Sequence, residues 1–103
     1  MINAADYVAK VLRATETRIV AAKAHVCTAG ITPDDVIAYE TVRDELKKLV
    51  GATWEDIHRK RAEWSELYKQ AVGGNDKGLA YDARVVVFHM QQIIDANKGE
   101  VSA

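Results

Sequence analysis

Apolar residues recur at alternating spacings of three and four, the period of one helical face, in four separate stretches of the chain. The first stretch is Val8, Leu12, Thr15, Ile19, Ala22 and Val26. Asn3 precedes it as an N-cap, Asp6 stands where a reciprocal box acid belongs, and Gly30 offers a stop. The predicted helix covers about 4–28, roughly 37 Å of rise, and is expected to be the longest element.

The second stretch has the clearest start signal. Thr32 caps, Pro33 takes the first helical position and Asp35 closes the box, with Ile31 and Val36 spaced for a hydrophobic staple. Val36, Tyr39, Val42, Leu46, Leu49 and Val50 share one broad arc, Ile37 lies well off it, and Gly51 ends a helix over 33–50. Thr53 caps the third helix, 54–72, whose first-turn acids Glu55 and Asp56 suit the positive helix end. Ile57, Trp64 and Ala71 repeat every seven residues beside Leu67 and Tyr68, and Gly73-Gly74 closes the segment. Only Gly51-Ala52-Thr53 separates these two helices, so a single kinked helix is the alternative reading.

Leu79, Ala83, Val86, Met90 and Ile93 define a fourth helix over 76–97, with residues from about 98 expected to fray. Three successive valines and Phe88 would suit a strand on propensity alone. Strict alternation is missing, however, and a lone strand would have no partner. Acid-first pairs four residues apart (Asp6 with Lys10, Asp44 with Lys48, Glu55 with Arg59, Asp56 with Lys60) add helical support. The expected fold is all-α: a compact antiparallel four-helix bundle forming a single domain over 1–103.

Composition sharpens this picture. Apolar residues make up 49% of the 103 positions, which argues against wholesale disorder, and one proline with six glycines favours few, long elements. Fourteen Lys and Arg against fifteen Asp and Glu leave a formal charge of −1, so the chain as a whole lacks the positive field of a nonspecific nucleic-acid binder. Near-neutrality also leaves self-association unopposed. The single cysteine, Cys27, cannot form an internal disulfide, which favours a reducing, cytoplasmic setting. The first residues lack the basic cluster of a secretory signal. The longest charge-free apolar run, 85–94, is too short to span a bilayer.

Candidate contact surfaces follow from the fourth helix. Opposite its main seam lie Tyr81, Val85 and Phe88, again spaced four and three. A helix apolar on two faces is either central or touches a second partner, so this stripe is read as a candidate interface with another protein or a second copy, against the alternative of a broad core face. Trp54, at a helix start beside a glycine link, is a candidate solvent-facing anchor. Tyr7 and Ile37, both off their seams, join it, whereas Trp64 and Tyr68 are assigned to the core. Lys47, Lys48, Arg59, Lys60 and Arg61, with His58 and Lys98, would gather at one pole. That cluster suits phosphate or an acidic protein surface, although Glu55 and Asp56 are placed to neutralise it. Asp34, Asp35, Asp76 and Asp82 fall toward the other pole.

Chemistry-bearing patterns are weak. His25 and Cys27, two apart on a helix, point to different sides, and His25 lies roughly 30 Å from His58 by helix rise. His89 adds only a second flanking imidazole. The single Glu-x-x-His run, Glu55 to His58, has no counterpart on another helix, and there is no phosphate-binding glycine loop or Gly-x-Ser-x-Gly turn. No catalytic residue, metal or cofactor is therefore assigned. The sequence reads as a small helical protein-binding module (an adaptor, inhibitor or assembly factor), self-associating in one version. A nucleic-acid accessory protein using the basic pole, and a structural subunit of a larger assembly, are the alternatives.

Overall fold

Each helix is set by its start signal. The computed structural model describes residues 3–26 and 30–102, with side chains through 97, and places them in α1 (Ala4–Ala24), α2 (Pro33–Lys48), α3 (Trp54–Gly73) and α4 (Lys77–Ser102). Thr32 with Asp35, and Thr53 with Asp56, both form complete reciprocal capping boxes. Asn3 caps α1 by accepting from the Ala5 amide, without the box expected from Asp6. α1 closes early, its His25 cap donating its N–H to Ala22, so α4 at 26 residues is the longest helix. Cys27 lies outside the described residues.

Gly51 separates α2 from α3. Its φ of +80° lies in the left-handed region that favours glycine, and Thr53 then restarts the helix, so the kinked single helix does not form. Residues 84–90 are helical throughout.

The protein is an antiparallel four-helix bundle. The most extensive interface joins α3 to α4, followed by α1 with α2 and then α2 with α4. α1 and α4 do not pack closely, and a groove runs between them. The core joins Ala4 and Val8 of α1, Val42 and Leu46 of α2, Ile57 of α3, and Val86, Met90, Ile93 and Ile94 of α4. Fully burying each of the larger side chains contributes about 1.5–3 kcal/mol. Thr15 sits in the α1 seam because its hydroxyl donates to the Val11 carbonyl at 2.8 Å, leaving its methyl to pack.

Several residues assigned to apolar arcs face solvent instead: Val50, Tyr68 and Leu79 are exposed. Val50 follows the last turn of α2, whereas Tyr68 and Leu79 lie toward the α3–α4 connection.

Candidate functional site

The second apolar stripe of α4 lies beside α2. Tyr81 donates its hydroxyl to Asp35 at the start of α2, and Val85 packs against the core. Phe88, one turn further on, is 58% exposed. Across the junction Ile37 is 51% exposed and shares a shallow cavity with Tyr81. Trp54 and Tyr7 are half-buried against the core, with Lys10 standing over the Tyr7 ring at 5.8 Å. Ile37 and Phe88 are thus the exposed members of the candidate set.

Asp35 ties this face together. Its carboxylate accepts from the Thr32 amide at 2.9 Å and from Tyr81. These bonds hold its pKa below the usual carboxylate value. The same Asp35 bond, then burial, pushes the Tyr81 hydroxyl up to about 12. A raised acid of this kind stabilises the fold fully below the ordinary tyrosine value near 10 and loses that contribution as pH rises through about 12. The difference in tyrosinate absorbance between wild type and Tyr81→Phe should therefore show a midpoint near 12. A midpoint near 10 with helicity intact would contradict the Asp35 contact.

His89 was legible only as a flanking imidazole. The structure buries it at 5% exposure between Tyr39 and Phe88, both edge-on, with ring centroids 6.3 and 5.9 Å away. Its Nδ1 lies 2.8 Å from the Val85 carbonyl. A carbonyl only accepts, so Nδ1 carries the proton, and in the neutral ring Nε2 is a lone-pair acceptor. That Nε2 is buried without a partner. Burial pushes the imidazole below its ordinary pKa; the Val85 bond opposes this and the Arg18 charge adds to it.

The basic pole forms around a residue the sequence reading missed. Glu45 is 7% exposed and takes Lys48 at 3.0 Å and Lys60 at 2.9 Å. Burial alone would raise its pKa, but the Lys60 ammonium close against it, the hydrogen bond from Lys48 and the Trp64 indole hold it below the usual value. A buried carboxylate attracts lysines more strongly than a solvated one. The expected Asp44–Lys48 and Asp56–Lys60 pairs accordingly give way to Glu45. Arg59 meets Asp56 at 3.2 Å and Glu55 at 4.0 Å. Lys47 and Arg61 make no ion pair among the described residues, and the Lys98 side chain lies outside them. Glu45 stands three residues after Val42 and four before Leu49, a spacing that could have revealed it on the apolar arc.

At the opposite pole Asp82 has a raised pKa, through burial first and then the charges of Asp34 and Asp76. Among the described residues no group of three or more His, Cys, Asp or Glu is placed to hold a metal ion. No described helix is long and apolar enough to cross a membrane. No protein-family model, curated protein or solved structure matches the chain.

Proposed function

We propose that this small bundle works by docking onto another protein through the face where α4 meets α2. The observation that carries the reading is Phe88: an aromatic ring more than half exposed, in line with half-buried Tyr81 and Val85. Ile37 extends the apolar area across the helix junction. Aromatic anchors on a supported rim are a common source of binding energy in interfaces. Arg84 stands over the Tyr81 ring at 5.5 Å and gives the rim a positive edge. Self-association through part of this face, in a cytoplasmic setting, belongs to the same reading. A nucleic-acid role has less support, because Lys48, Arg59 and Lys60 are already engaged by carboxylates.

Phe88→Asp and Ile37→Asp change exposed positions, so each should leave stability within about 0.5 kcal/mol of wild type. Wild type and both variants, used as bait in extract of the source cells, are compared by quantitative mass spectrometry. A protein enriched by wild type and lost with both variants is expected. Enrichment that neither variant disturbs would sink the reading. Light scattering tests the homodimer separately: a wild-type monomer at every concentration removes self-association.

A further inference from the structure

We propose that the cleft between α1, α2 and α4 binds an aromatic carboxylate. This goes beyond protein docking and does not rest on it. The cleft has a volume of about 440 Å³, within the range of roughly 300–1,000 Å³ usual for small-molecule sites. Arg18 lines it from α1, Tyr39 from α2, and Tyr81, Arg84, Phe88 and His89 from α4. Four rings thus surround one space, which suits a flat apolar body.

The charges specify an anion. Neither Arg18 nor Arg84 has an ion pair among the described residues. The one carboxylate lining the cleft is Asp35, and it is engaged by the Thr32 amide and the Tyr81 hydroxyl. Two guanidiniums against one carboxylate leave a positive charge uncompensated. A guanidinium fork matches a carboxylate in geometry as well as sign.

His89 is 5% exposed and its Nε2 is buried, so it contributes a wall rather than a polar contact. A purely apolar ligand would leave the arginines unanswered.

The test is an amide NMR titration of the full chain with two probes: phenylacetate, and 2-phenylethanol, which lacks the charge. Phenylacetate should give saturable shifts at Tyr39, Arg84, Phe88 and His89. The alcohol should bind about tenfold more weakly or worse, the size of effect expected for one lost hydrogen bond to a charged group. Combining Arg18→Gln with Arg84→Gln should erase the advantage of the acid over the alcohol while the free protein keeps its dispersed spectrum. No saturation at millimolar phenylacetate, shifts confined to other surfaces, or equal affinity for acid and alcohol would overturn the proposal.

Discussion

Replacing Leu46 or Met90 by alanine should each lower the unfolding free energy by about 2–5 kcal/mol. Both side chains are fully buried, on α2 and α4 respectively, and both belong to the cluster that joins all four helices. Truncation removes the transfer energy of the lost methylenes and leaves a void that rigid helices fill only in part. Total stability for such domains is only about 5–15 kcal/mol, so either change consumes a large share of it. Urea unfolding should show a lower midpoint with an unchanged slope. Phe88→Ala is the contrast. With its ring more than half in water, it should shift stability by no more than about 0.5 kcal/mol. A loss comparable to that of Leu46→Ala would make Phe88 part of the core and remove the docking face with it.

The main seams were legible because they depend on period alone. Val8, Ile19, Val42, Leu46, Ile57, Val86, Met90 and Ile93 were all on predicted arcs, and all are buried. Helix starts were legible where a hydroxyl and an acid sit three apart, as at Thr32 and Thr53. Period does not say how far a neighbouring helix extends over an arc, which is why Tyr68 and Leu79 were placed inside and lie outside. It also ranks polar residues as surface. Glu45 and His89 fall at seam spacings, yet Glu45 drew no reading and His89 only that of a flanking imidazole. Their burial depends on partners from other elements: Lys60 and Trp64 of α3 for Glu45, and the Tyr39 ring of α2 for His89. Such partners exist only once the helices are packed. The α1–α2–α4 cleft was invisible for the same reason, since Arg18, Tyr39 and Arg84 come together only in three dimensions.

Replacing Glu45 by glutamine should destabilise the fold by about 1–3 kcal/mol, because Lys60 is left with a neutral partner in a largely buried position. The Lys60 side chain is 20% exposed, enough to reach partly toward water, which keeps the loss below the roughly 3–5 kcal/mol of a fully enclosed pair. The pH dependence distinguishes this from simple loss of packing. The folded-state pKa of Glu45 is depressed, so its contribution is complete above the unfolded value of 4.5 and disappears as pH falls through the lower folded value. His89 is depressed in the same sense, so its contribution begins to fall already below 6.5, as the unfolded imidazole gains a proton that the buried ring resists. Asp82 runs the other way, its raised pKa favouring the fold as acid protonates it. Urea midpoints measured from neutral pH downward should therefore decline in two stages. Glu45→Gln should shrink the lower stage and leave the upper one in place. An unchanged acid profile in that variant would mean that the two lysines do not hold the carboxylate charged, and the basic pole would then be free to bind anions after all.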